Sequence, residues 1–198
     1  MSPTIGLGFR VKSGWAAVIV LSGTVSSPRI LTSSILQMSD ATVPETRQPY
    51  HRRTGELETK SDIVQSRIER VQQVIAESLS AFLSTTFLSE SQPLAAVVGG
   101  GKADPSSIAN AHIKAHALEG RLFVDSLWNE LRRRGIEATI VREAEIWQVG
   151  TRELGKSLAD LRLLLGQMGT AIRPWRMEQK IAALGAWLSL VRTTIGQM

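Results

Sequence analysis

The chain has 198 residues, enough for one domain that buries about 70% of its unfolded surface. Hydrophobic residues make up 43% and the mean hydropathy is +0.01, the balance of a soluble globule. The absence of cysteine excludes disulfides, thiolate metal sites and cysteine nucleophiles, and fits a cytoplasmic location. The net charge is +5, and 17 of the 23 cations are arginine. Arginine's planar donor fork suits phosphate, so nucleic acid is a partner to consider. A charge of +5 on this length is equally that of an ordinary surface.

Three β-rich segments come first: Thr4–Phe9, Gly14–Leu21 and Arg29–Met38. None contains a carboxylate, and the first acidic residue of the chain is Asp40. The turn-rich stretch from Ser22 to Pro28 reads as the connection between the second and third strands. Residues 40–61 are polar, with two prolines, a glycine and mixed charge, and read as one long loop. Asp62 is placed to cap a helix in which Ile63, Val64, Ile68, Val71, Ile75, Leu79 and Phe82 recur at helical spacing, to about Leu88.

Pro93 introduces Leu94–Val98, a short apolar run suited to a buried parallel strand and closed by three glycines. Asp104-Pro105-Ser106-Ser107 is a helix-start signature, and the spacing predicts one helix from there through Arg134 to a stop at Gly135. Gly120 marks a bend or a close approach within it. Ala138–Val141 is the next strand. A polar stretch with Gly150 and Gly155 leads to a helix over Leu158–Leu165, then a loop over 166–174, then a final helix opened by Pro174-Trp175.

The predicted order is β-β-β-α-β-α-β-α-α, a mixed five-stranded sheet with right-handed crossovers, in a single domain over 1–198. The five tryptophans fall mostly on apolar faces and read as core. No stretch reaches the roughly 20 apolar residues of a membrane helix, so no membrane partner is expected. Trp15–Leu21 is too short and β-branched for a secretory signal.

Three local patterns carry chemistry. His112, His116 and Glu119 stand at i, i+4 and i+7 and share one helix face. Two histidines at that spacing can hold one divalent metal, with the carboxylate as a third ligand or an acid/base partner. These are the candidate catalytic residues. The same residues also read as ordinary polar surface, or as buried histidines bonded to backbone. The remaining histidine, His51, lies in the long loop beside Tyr50, Arg52 and Arg53, and that loop is long enough to fold over the helix. Apart from such a metal, no cofactor is expected.

Tyr50-His51-Arg52-Arg53 places an aromatic among cations, a combination that stacks on bases and pairs with phosphates. Gly99-Gly100-Gly101-Lys102 sits between strand and helix, where backbone N–H groups can cradle an anion, although a tight turn explains it as well. Arg52, Arg53 and Lys102 are therefore the candidate nucleic-acid contacts. Arg132-Arg133-Arg134 complements a helix C-terminus without any ligand.

Ile5-Gly6-Leu7-Gly8 with Ser13-Gly14-Trp15-Ala16-Ala17-Val18, Ala95–Lys102, Ala117–Leu122, and Leu163–Gly166 with Ala182–Ala186 occur in an order that resembles the ribonuclease H-like superfamily. The nearest likeness is to RuvC-type Holliday-junction resolvases. That resemblance implies a two-metal carboxylate site with an Asp at Leu7 or Gly8, a Glu at Val98 or Gly99, and an Asp pair near Gln179 and Ala182. None of these positions is acidic, so a magnesium nuclease of the usual kind is not expected. The reading that follows is a non-catalytic domain binding nucleic acid or a protein partner. The alternatives are an enzyme of different chemistry at His112, His116 and Glu119, and a structural or assembly module that docks a partner or a second copy.

Overall fold

The computed structural model describes residues 5–52, 55–86, 92–101 and 104–195, the last four of them as backbone only. The strands are β1 Ile5–Lys12, β2 Trp15–Thr24, β3 Ser27–Gln37, β4 Leu94–Val98 and β5 Glu137–Val141. The helices are α1 Ser61–Thr85, α2 Ala111–Arg133, α3 Ile146–Leu154, α4 Leu158–Met168 and α5 Met177–Ile195. The strands form one sheet in the order β3-β2-β1-β4-β5. The β1–β2 and β2–β3 pairs are antiparallel, and β1–β4 and β4–β5 are parallel. This is the mixed sheet expected from the strand and helix order.

Strand alternation divides the interior into two layers. Leu7, Phe9 and Val11 of β1 join Ala16, Val18 and Val20 of β2 in a core that α1 and α2 cover. Ala17, Ile19 and Leu21 point the other way, into a core covered by α3, α4 and α5. On that second face, Gly6 and Gly8 let α5 lie directly on the sheet. A Cβ on Gly8 would overlap the Ala182 carbonyl oxygen, and one on Gly6 the Ala186 carbonyl oxygen. The run Ala182-Ala183-Leu184-Gly185-Ala186 is the small-residue side of that contact.

Several elements differ from the sequence expectation. The β2–β3 connection is a two-residue turn at Val25 and Ser26, because both strands extend into the stretch expected to be loop. Residues 40–61 are not wholly irregular: Pro44–Arg47 forms a 3-10 turn. Asp62 lies in the first turn of α1 and is not its cap, which is Lys60. Asp104 caps only a short 3-10 turn, Pro105–Ser107. α2 starts separately at Ala111, with the Asn110 side chain accepting from Ile113 N–H. Gly120 lies within the continuous helix α2 and does not pack closely, since a Cβ there would meet nothing within 4 Å. α3 fills the stretch expected to be polar loop, and α4 runs through Gly166. Among the described residues no helix is long and apolar enough to cross a membrane.

Candidate functional site

The site is built at the carboxyl ends of β1 and β4, on the side of the sheet that α1 and α2 cover. The segment after β3 begins beside the β1–β2 turn, where Met38 N–H and Ser39 Oγ both donate to Gly14 O. Asp40 fixes the start of the segment. Its carboxylate accepts from Thr42 N–H and Oγ1 and pairs with Arg70 of α1 at 2.5 Å. Further along, Arg67 of α1 donates to the carbonyls of Pro49 and His51. The loop is thus held down on α1, and its His51 end is delivered to α2.

Glu119 is the centre of what it meets there. Ala115, Glu119, Phe123, Leu127 and Leu131 form the buried i, i+4 stripe of α2, and Glu119 is fully buried within it. Its Oε1 accepts from His51 Nδ1 at 2.7 Å and, more weakly, from Tyr50 N–H at 3.4 Å. Its Oε2 lies 3.4 Å from His116 Nδ1, close enough for charge attraction without the alignment of a hydrogen bond. Burial, and then the Glu119 charge, push the Tyr50 phenol above its ordinary range.

His112 completes the group. Its Nδ1 is 2.9 Å from the Gly55 carbonyl oxygen and 3.2 Å from His51 Nε2, and its Nε2 is 3.2 Å from His116 Nε2. One nitrogen from each of His51, His112 and His116 lies within 4.8 Å of the others. His51 is buried; the two α2 histidines are exposed.

The proton assignment follows from the acceptors. Glu119 Oε1 takes the Nδ1 proton of His51, the Gly55 carbonyl that of His112, and Glu119 Oε2 faces Nδ1 of His116. Each imidazole then keeps its Nε2 lone pair. For His51 and His112 the far N–H is held by a carboxylate or a backbone carbonyl, as in metal-binding histidines. Tetrahedral zinc with nitrogen ligands needs neighbouring donor atoms about 3.3 Å apart, and the 3.2 Å between His112 Nε2 and His116 Nε2 approaches that. The buried Glu119 charge, with one oxygen lacking a hydrogen bond, also fits a dication next to it. The donor set suits a borderline metal such as zinc rather than magnesium, which prefers oxygen.

The sequence pairing of His112, His116 and Glu119 is therefore spatial as well as linear. His51 had no spacing signal, being 61 residues away from His112. Glu119 did carry a signal, as a charge on the apolar stripe. Of the candidate nucleic-acid contacts, Arg52 lines a 790 Å³ cleft with His51, Lys60 and Arg67, but Glu45, Glu56 and Glu58 line it too. Arg53 and Lys102 lie outside the described residues.

The positions expected for a two-metal carboxylate site are differently filled. Leu7 is buried in the α1/α2 core, Gly8 has no room for a side chain, and Ala182 and Gln179 are buried on α5. Val98 is buried against α5, and Gly99 has Val124 and Val11 beside it. One strand step beyond Gly8, on the same face, sequence reasoning missed Arg10. Its guanidinium is buried and pairs with the Glu143 carboxylate.

No protein-family model matches this sequence, and no curated protein does. Solved structures do. The RuvC structure from Thermus thermophilus is 12% identical, with 98% of this chain and 97% of that one covered at a TM-score of 0.56. T. thermophilus RuvC in complex with a Holliday junction substrate is 13% identical, with 98% and 96% covered at 0.53. At such identity the likeness is one of architecture, and this chain has the ribonuclease H-like fold.

Proposed function

We propose that this ribonuclease H-like domain binds one divalent transition metal of the zinc type on His51, His112 and His116, and that it is a hydrolytic enzyme. The observation that carries the reading is the convergence of the three imidazoles around a buried Glu119 that orients two of them. Three protein ligands leave a fourth position open, the arrangement of catalytic rather than structural zinc. When bound, such a metal would supply a water acidified to a pKa of about 7, a nucleophile at neutral pH. Glu119 and the Gly55 carbonyl fix the ring orientations. The lack of acidic side chains at Leu7, Gly8, Val98, Gly99, Gln179 and Ala182 supports chemistry relocated from the two-metal position to the α2 histidines.

Titration with zinc, and with cobalt(II) read by its visible absorption, tests the site. One metal per chain is expected, lost in His51→Ala, His112→Ala and His116→Ala. Glu119→Gln is expected to weaken binding by about 10- to 100-fold. Absence of stoichiometric binding, or binding indifferent to the three histidines, overturns the reading.

A second reading is nucleic-acid binding without catalysis. It is supported by the net charge of +5 and by the architecture shared with a protein whose structure holds a Holliday junction substrate. Against it, the three cations of the cleft around Arg52 are matched by three carboxylates. Branched-DNA affinity measured against salt decides. Each phosphate contact contributes about −0.9 to the log–log slope, and Arg52→Ala should remove one such increment. A flat salt response sinks this reading.

A further inference from the structure

The sheet has two edges of different character. β5 is short, with 5 residues, whereas β3 runs for 11, from Ser27 to Gln37. Among the described residues no strand pairs with the outer side of β3. A long open edge presents a row of free N–H and C=O groups, and proteins that must stay single interrupt it with charges or proline. β3 has Pro28 and Arg29 at its start, but from Ile30 to Gln37 it has neither proline nor charge.

Its two faces also differ. Leu36 enters the core that α1 and α2 cover. On the other face, α3, α4 and α5 close over Ala17, Ile19 and Leu21 of β2 and stop short of β3. Ile35, opposite Ala17, is left 45% exposed there. Leu31, which the β2–β3 register passes over, is left 55% exposed. Ser33 stands midway between them.

That spacing makes the edge self-complementary. Opposed residues of an antiparallel pair share a face, so a two-fold axis relating two copies of β3 passes through a residue. With the axis at Ser33, Leu31 falls opposite Ile35 of the second copy, and Ile35 opposite its Leu31. Thr32 falls opposite Ser34. The two Arg29 side chains stand at opposite ends of the seam, so no like charges meet.

We propose that β3 pairs antiparallel with β3 of a second copy of this chain, making a two-fold dimer with one continuous sheet. Strand addition supplies main-chain hydrogen bonds, and the two Leu31–Ile35 contacts fix the register. An interface of this isologous kind closes on itself and stops at two chains. β3 contains no histidine, so the dimer is independent of the metal reading.

Analytical ultracentrifugation of the full chain should give twice the chain mass of 21.6 kDa, equally with zinc and with a chelator. Leu31→Lys combined with Ile35→Lys alters two side chains that are already exposed. It should give the single-chain mass with an unchanged circular dichroism spectrum. Because the chain has no cysteine, Ser33→Cys introduces a single thiol, and mild oxidation or a short bismaleimide should join two chains through it. Leu163→Cys, exposed on α4, should not cross-link. A monomer at every concentration, a mass beyond two chains, a dimer that survives the double substitution, or equal cross-linking at both cysteines overturns the proposal. None of these results bears on zinc binding at the three histidines.

Discussion

A carboxylate without access to water needs a reason, and Glu119 has two in the imidazoles it faces. A charge on the apolar stripe of an amphipathic helix was visible in the sequence. That it is fully buried was not, because burial depends on what the loop after β3 does. Asp40 shows how that loop is set. The Thr42 hydroxyl and N–H, followed by Arg70, hold its carboxyl well below the usual range, at about 2. A folded-state pKa below the ordinary 3.8 means that the ionised form stabilises the fold. That contribution is complete above about pH 4 and is lost as the pH falls through about 2. Asp40→Asn should therefore lower the urea midpoint by a constant amount from pH 7 to about pH 4, and the gap should close toward pH 2. A gap that held steady on acidification would show that Asp40 acts through shape rather than charge. Arg10 was legible as a residue type but not as a buried cation, since nothing local indicates that Glu143 meets it.

At the scale of elements, strands and long helices were readable because their periods of 2 and 3.6 repeat over many residues. Short elements were not. α3 has nine residues and contains Gly150, which reads as a breaker. In place, that glycine makes room for the Leu184 methyls, about 3.0 Å from where a Cβ would sit. The start of α2 misled for a different reason. Two capping signals stand six residues apart, and Asp104 is used for the 3-10 turn while Ile108 leaves helical geometry at φ −89° and ψ 113°. The functional cap is Asn110, whose Oδ1 accepts from Ile113 N–H at 3.0 Å. His112 stands in the turn that this bond closes. Asn110→Ala should cost about 1 kcal/mol of stability. It should also weaken zinc binding several-fold, because a frayed first turn no longer holds His112 against Gly55. Asp104→Ala should leave the metal affinity intact. Matched losses in both variants would place the anchoring of His112 elsewhere than the Asn110 cap.

For the whole molecule, the two cores and the site answer to different parts of the chain. The cores are made by the sheet and the helices that cover it, and none of their packing passes through His51. Legibility divides along the same line: the architecture comes from patterns within segments, whereas the site needs residue 51 to meet residue 112 across α1 and β4. A metal on the three histidines would tie the loop after β3 to α2 without being required by either core. Zinc should then raise the melting temperature by mass action, with about 2.7 kcal/mol of added stability at a hundredfold excess over Kd. Chelation should return the protein to a folded, lower-melting state. The change should be local as well, with protease cleavage within residues 40–60 slowed by zinc and the rest of the chain unaffected. His51→Ala should melt at the same temperature with and without zinc and show no such protection. Global unfolding on chelation would mean that the metal is a structural support of the whole fold, and would shift the site from catalysis to folding.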